Sequence, residues 1–228
     1  MIDNPPMLTI HRGWTRPDPA LVAAFRGAQT SHVCDAMEGR GAVDWQIKPL
    51  DPGNGVFCGP ALTAWAYPAD IAAMFGALAE AQPGDVIMVA CDSFTATAVI
   101  GDLAAGMMKN KGVAAFVTDG LARDRAGIIA TGLPLFARGI VPNSPALNGP
   151  GTVGAPVVLG GVQVNPGDIV VGDADGVVVV PQARAQEVLE ALGRIRAAEA
   201  ALEAQVKAGL KITGKAEAMV ASARIIGK

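Results

Sequence analysis

The chain has 228 residues, of which 51% are hydrophobic, only 4% aromatic and 17% charged, and its formal net charge is −3. That length can bury a sizeable core, which must be built from Ala, Val, Leu and Ile because aromatics are scarce. The absence of a basic block argues against a nucleic-acid surface, and no apolar run reaches the roughly 20 residues of a membrane-spanning helix.

In chain order, "RPDPALVAAFRGAQTSHVCDAM" reads as a helix, with Asp18 as N-cap and Pro19 at the first helical position. Leu21, Val22, Phe25, Ala28, His32 and Ala36 then recur at helical spacing. "GPALTAWAYP" reads as a strand and "ADIAAMFGALAEA" as a helix closed by "QPGD". The short apolar run "DVIMVAC" suits a strand buried on both faces. "ATAVIGDLAAGMMKNKG" reads as a second helix, ending with Lys109 and Lys111 before Gly112. There follow a strand, "VAAFVTDG", a short helix from about Asp124 to Thr131, and a strand, "LPLFARGIV". The stretch from Pro142 to Pro156 reads as loop. "VQVNPGDIVVGDADGVVVVP" reads as a β-meander with turns at Pro166–Gly167 and Asp175–Gly176. The tail from Gln182 to Ala208 is rich in Ala, Glu and Arg and reads as an amphipathic helix. Alternating strands and helices followed by a meander make one α/β domain rather than two.

Several motifs can be set aside. "GPGTVG" (149–154) matches G-x-G-x-x-G in form, but prolines flank it and no helix follows, so it reads as a loop and not a dinucleotide site. No phosphate-binding P-loop and no glycine-rich S-adenosylmethionine loop occurs. Cys34, Cys58 and Cys91 are widely spaced and read as reduced, partly buried thiols. His11 and His32 are the only histidines, which leaves no histidine-rich zinc site, and no serine sits in a nucleophile elbow. The opening "MIDNPPMLTI" has no leader-like pattern, so the chain reads as cytoplasmic.

What remains is a cluster of charge, "TDGLARDRAG" (118–127), just past a buried strand. In open α/β sheets ligands bind beyond the carboxyl ends of strands. Asp102 and Asp124 there could hold a hard cation such as Mg²⁺, which needs only one or two protein carboxylates. Amides around Asp102 and Leu103 could receive a small carboxylate. Asp119 and Asp124 read equally well as turn and helix-cap residues, and spacing alone leaves both readings open.

"GDLAAGMMKNKGVAAFVTDGLARD", with "NPGDIVVGDADGVVVVP" downstream, resembles the class II pyruvate aldolases that cleave 4-hydroxy-4-methyl-2-oxoglutarate and 4-carboxy-4-hydroxy-2-oxoadipate. That family also contains the regulators of ribonuclease E activity A. The resemblance implies a single compact α/β/β/α layered domain of the swivelling β/β/α kind over residues 1–228, with a core of about 18–181 and a helical tail, 182–228, that reaches a neighbouring subunit. It implies homotrimers or paired trimers with sites between subunits and a small-molecule α-keto acid as substrate, while charge and hydropathy predict no nucleic-acid or membrane partner. Asp124 would bind Mg²⁺ or Mn²⁺ directly and Asp102 through water. Arg123, with backbone at Gly101 and Leu103, would hold the pyruvoyl group. Glu199 of a neighbour's tail would complete the site, although Glu187, Glu190 and Glu203 on the same helix equally suggest a solvated face.

The implied reaction is metal-dependent retro-aldol cleavage of a 4-hydroxy-2-oxo acid to pyruvate, with oxaloacetate decarboxylation beside it. The alternative within the family is a binding regulator of an RNA-processing ribonuclease. One departure stands out: Ile71, Ala72 and Gly76 occupy positions where the characterised aldolases carry asparagine, tryptophan and histidine. The pyruvate end of the site is kept, while the part facing the rest of the substrate differs.

Overall fold

The computed structural model describes residues 5–227; residues 1–4 and 228, the ends of the expected domain and the start of the segment expected to lack a leader, lie outside the described residues. After the short strand β1 (Thr9–Ile10), Asp18 accepts from Ala20 N at 2.8 Å and caps α1 (Pro19–Ala24), with Pro19 in the first turn as expected. The single helix expected here is two. Gly27 turns the chain at φ +70, a conformation that glycine adopts without strain. The second helix, α2 (Thr30–Ala36), starts where Asp173 accepts from both Thr30 N and Thr30 Oγ1, at 2.8 and 2.7 Å. A carboxylate 143 positions away thus supplies the cap, which local periodicity cannot announce.

Next come β2 (Lys48–Pro49), β3 (Phe57–Ala66), α3 (Ala72–Glu80), β4 (Val86–Ala90), β5 (Ala98–Ile100), α4 (Asp102–Asn110), β6 (Ala115–Thr118), β7 (Leu121–Ala122), α5 (Arg125–Thr131) and β8 (Leu135–Ala137). The helix expected to begin near Ala96 is therefore a strand followed by a helix. Val99 and Ile100 are buried β-branched residues in a strand that pairs with β7, and Gly101, extended at φ −130 and ψ −177, separates it from α4. The expected loop of 142–156 contains β9 (Gly151–Val153), which pairs with β1 and with the end of β3. Beyond it, β10 (Val157–Leu159) and β11 (Val162–Val164) form one hairpin, and β12 (Ile169–Asp173) and β13 (Gly176–Val180) another. The Pro166–Gly167 turn does not fold β11 onto β12, as the meander reading supposed; it delivers β12 to the first half of β3. Two helices finish the chain, α6 (Ala185–Lys207) and α7 (Gly214–Ala221), the latter capped by Thr213 and not anticipated from the sequence.

Strands β3, β4, β6 and β8 are parallel neighbours, with β2 antiparallel at one edge and β9 and β1 at the other. Period-two alternation explains why β4 is apolar throughout. Its Ile87 and Val89 face α3, α4 and α5, meeting Ala73, Ala77, Ala105, Met108 and Ile128. Its Val86, Met88 and Ala90 face the other way, meeting Val170 and Val179 of the β12–β13 hairpin. That hairpin is itself two-sided, since Ile169, Val171, Val178 and Val180 pack against Phe25, Val33, Val188 and Leu192 of α1, α2 and α6. The result is the expected α/β/β/α layering. All three crossover helices lie on one face, so the loops leaving β5 and β7 emerge together above it. Among the described residues no helix is long and apolar enough to cross a membrane.

Candidate functional site

The cleft forms where β5 ends and α4 begins. Gly101 leads Asp102 into the first turn of α4, and Arg123 N donates to Ile100 O at 3.0 Å, which brings the end of β7 level with it. Close approach is required here. A Cβ on Gly101 would lie 2.8 Å from Asp124 Oδ2, and one on Gly127 would lie 2.4 Å from Asp102 Oδ2. Glycine at both positions lets the two carboxylates draw in from either side.

Asp124 carries the sharpest local signal. It occupies the cap position of α5 in the left-handed region, φ 58 and ψ 43, yet its side chain accepts no capping hydrogen bond from that helix. A non-glycine residue in this region is uncommon and marks a position held by its surroundings. The helix-cap reading of Asp124 therefore fails, and its carboxylate instead turns to Arg123, with Nε 3.2 Å from Oδ2. Arg123 Nη1 donates to Ser144 Oγ on the loop beyond β8. Asp102 Oδ1 accepts from Leu103 N at 2.7 Å. That finding refines the expectation for Leu103, whose N–H is engaged by the neighbouring carboxylate and would have to change partner to receive a substrate.

Asp102, Arg123 and Asp124, with Gly101 and Leu103, line one cleft of about 220 Å³. This lies at the small end of ligand sites and suits a metabolite of a few carbons rather than a polymer. Its other walls are apolar: Ile71, Met74 and Phe75 from the start of α3, and Met107 from α4. Ser144 escaped sequence reasoning, because a single hydroxyl in a proline-rich loop has no periodic signature; its only signal was the polar pair "NS" within "VPNSP".

The remaining members of the charge cluster have structural duties. Asp119 is buried, with Oδ1 accepting from Cys91 N at 2.8 Å and Oδ2 from Ser93 N at 3.1 Å, so it anchors the loop after β4. Arg125 donates from Nε and Nη2 to Leu50 O at 3.2 and 2.9 Å and ties α5 to the segment after β2. Burial pushes the Cys91 thiol up to about 12 and the Cys58 thiol to about 11, consistent with inert core cysteines. Glu199 does not line the cleft of its own chain. It lies on α6 in a separate groove with Gln29 and Arg196, its Oε2 3.9 Å from His32 Nε2.

Among the described residues no three His, Cys, Asp or Glu side chains converge to cage a metal. Two aspartates on facing elements are nonetheless a donor set that fits a hard divalent ion, which retains several waters and takes one or two protein carboxylates. The GPGTVG stretch, expected to be loop, includes strand β9, and its glycines are needed for packing: a Cβ on Gly149 would lie 2.1 Å from Met7 O, and one on Gly151 2.8 Å from Ala73 Cβ.

A layered α/β/β/α domain with a small acid–arginine cleft above the crossover helices is the class that fold and site define. Residues 30–179 match the RraA-like family, described as Aldolase/RraA. The chain is 37% identical over 183 residues, 80% of its own length and 87% of the relative's, to a protein of Halalkalibacterium halodurans named "Putative 4-hydroxy-4-methyl-2-oxoglutarate aldolase". Among solved structures it is similar to Streptomyces coelicolor RraAS2, described as an unusual member of the RNase ES inhibitor RraA protein family, with a TM-score of 0.75 and 31% identity over 83% of this chain and all of that one. An uncharacterized protein of Pseudomonas syringae pv. tomato matches with a TM-score of 0.76 and 26% identity over 87% of this chain and 97% of that one. The chain belongs to the RraA-like family, which holds aldolase-like proteins and RraA regulators alike.

Proposed function

We propose that this protein cleaves a 4-hydroxy-2-oxo acid by a retro-aldol reaction that releases pyruvate and depends on a divalent metal. The observation that carries the reading is the convergence of Asp102, Arg123 and Asp124 on one small cleft, with Asp124 released from the capping role its position offers. A bound Mg²⁺ or Mn²⁺ supplies Lewis-acid polarisation of the substrate's 2-oxo group and adjacent carboxylate. Asp124 would hold it directly and Asp102 through water. Arg123, steadied by Ser144, faces the carboxylate and the 2-oxo oxygen of the pyruvoyl end. Asp102 orients the water that takes the proton of the 4-hydroxyl. As that O–H bond breaks, C4 becomes a carbonyl, the C3–C4 bond breaks, and its electron pair passes into the pyruvate enolate. Arg123 stabilises the negative charge that develops there, an effect strongest in a cleft partly closed to water. Returning the proton to C3 completes pyruvate and balances the reaction. Oxaloacetate reaches the same enolate by losing CO₂, so its decarboxylation is expected.

The same reading assigns a trimer or a pair of trimers in which Glu199 of one subunit reaches the cleft of the next. Its support is a long α6 that packs on its own core through Ala185, Val188, Leu189, Ala191, Leu192 and Ile195, while residues 196–207 are exposed. Glu199→Ala should then fold normally and turn over slowly. The deciding measurement is pyruvate release from a panel of 4-hydroxy-2-oxo acids and oxaloacetate, with and without Mg²⁺. Full-rate release after EDTA treatment sinks the scheme. A second reading, a regulator that binds an RNA-processing ribonuclease, draws on the likeness to RraAS2. Capture of a ribonuclease by a protein without metal-dependent lyase activity would favour it.

A further inference from the structure

The cleft has two chemically different ends, and the second points to a substrate class. Among the described residues Arg123 is the one basic side chain lining it, and the reading above assigns that guanidinium to the pyruvoyl carboxylate. Much of the remaining lining comes from two helix starts. Ile71 and Phe75 on the entry to α3, and Leu103 and Met107 on α4, are each four residues apart, so each pair projects from one helix face. Met74 forms the floor at 1% exposure, while Leu103 and Met107 stand 77% and 50% exposed on the rim. Large apolar side chains grouped at the mouth of a cleft mark a surface that gains by being covered. A polar contact from α3 is blocked by packing. Ala72 is buried, and a Cβ at Gly76 would lie 2.7 Å from Leu8 Cδ2 and 3.0 Å from Val153 Cγ2. Asp70, just before the helix, is buried and accepts from Ala72 N and Asn148 N.

Charge points the same way. This chain's two aspartates and one arginine, with the neighbour's Glu199 that the reading above brings to the cleft, sum to two net negative charges. A divalent cation would neutralise them, and a single substrate carboxylate already takes the site to one net negative charge. A second carboxylate would meet no further cation among the described lining residues of this chain and would lie against Leu, Met and Phe side chains, where an unpaired charge is disfavoured.

We propose, on the strength of the aldolase reading, that this cleft selects 4-hydroxy-2-oxo acids whose C4 substituent is apolar, the aldol adducts of pyruvate with an uncharged alkyl or aryl carbonyl compound. Dicarboxylic adducts are discriminated against. Oxaloacetate remains a slow substrate with a high KM, because its second carboxylate departs as neutral CO₂.

The test separates selectivity from catalysis. 2-Oxohexanoate and 2-oxoadipate have the same number of carbons and no 4-hydroxyl, so neither is cleaved, and they differ only in an apolar or a charged end. Titration calorimetry of the Mg²⁺-loaded full chain should show 2-oxohexanoate binding at least about tenfold more tightly, since each buried methylene is worth about fourfold and the charged end is refused. Met107→Lys, a half-exposed helix position where lysine folds readily, should erase or invert that preference. Equal or tighter binding of 2-oxoadipate to the unaltered protein, alongside metal-dependent pyruvate release from any panel member, overturns the selectivity and leaves the aldolase reading intact. Binding of neither acid, together with no pyruvate release, overturns both.

Discussion

Asp119 and Asp124 stand five residues apart in "DGLARD" and sit in opposite environments. Asp119 is 2% exposed and both its oxygens accept backbone N–H groups, from Cys91 and Ser93. The Asp124 side chain is 44% exposed, accepts nothing from the helix it begins, and is paired with the Arg123 guanidinium. The same contrast runs through the molecule. Asp70, Asp85, Asp168 and Asp173 all hold loops or helix starts through backbone donors, whereas Asp102 and Asp124 line the cleft. Carboxylates that organise the fold accept amides that fix loops or helix starts, whereas in the cleft Asp102 accepts only from the adjacent Leu103 N and the Asp124 side chain accepts from no amide.

The comparison breaks first at Asp124. Asp124→Ala should bring metal-dependent pyruvate release to background while its unfolding free energy falls by only about 1 kcal/mol, the cost of alanine in the left-handed conformation that aspartate tolerates better. Arg123→Ala comes next, with kcat/KM and inhibition by oxalate both weakened by about 10²-fold, the scale for losing one stabilising donor. Asp119→Ala should act on the other observable. It leaves the buried Cys91 N–H and the partly buried Ser93 N–H without their acceptor and lowers urea-measured stability by about 1–3 kcal/mol. An Asp119→Ala protein that unfolds at the wild-type midpoint but has lost turnover would reverse the assignment of the two acids.

Asp44 sharpens the contrast through pH. The Gln46 N–H, and then Arg138, hold its carboxyl below the usual range. A depressed folded value means that its contribution is complete above the unfolded value of about 4 and fades as pH falls through the folded one. Asp44→Asn should therefore lower stability at neutral pH and flatten the acid limb of the stability profile, with the two curves converging at low pH.

How much of this was readable depended on whether the cause was local. The buried run "DVIMVAC" and the Asp18–Pro19 start announced themselves because period and capping act within a few residues. So did the placement of Asp124 at the start of a short helix after a buried strand, whereas the strand leading into Asp102 was read as part of the helix. The break between α1 and α2 was hidden, because its cap is Asp173, brought in by the β12–β13 hairpin. The strand nature of Ala98–Ile100 was hidden by the apolar spacing it shares with α4, and tertiary pairing with β7 decided it. Ser144 and the roles of Gly101 and Gly127 required knowing which loops meet. The family resemblance supplied roles for Arg123 and Asp124 that spacing alone left undecided.

Arg125 offers the smallest and most discriminating test. It lies two residues from Arg123 on the same short segment, and charge density alone would give both the same duty. Arg123 points its guanidinium at Asp124 and Ser144, inside the cleft. Arg125 points away and closes two hydrogen bonds on the carbonyl of Leu50. Because Arg125 is exposed, water can replace much of that contact, and Arg125→Ala should cost only about 0.5–1 kcal/mol. Its kcat/KM and its response to oxalate should match the unaltered protein once both are fully folded. If Arg125→Ala instead depresses kcat/KM as far as Arg123→Ala does, the cluster acts as one electrostatic patch, and the division of its charges between fold and chemistry is wrong.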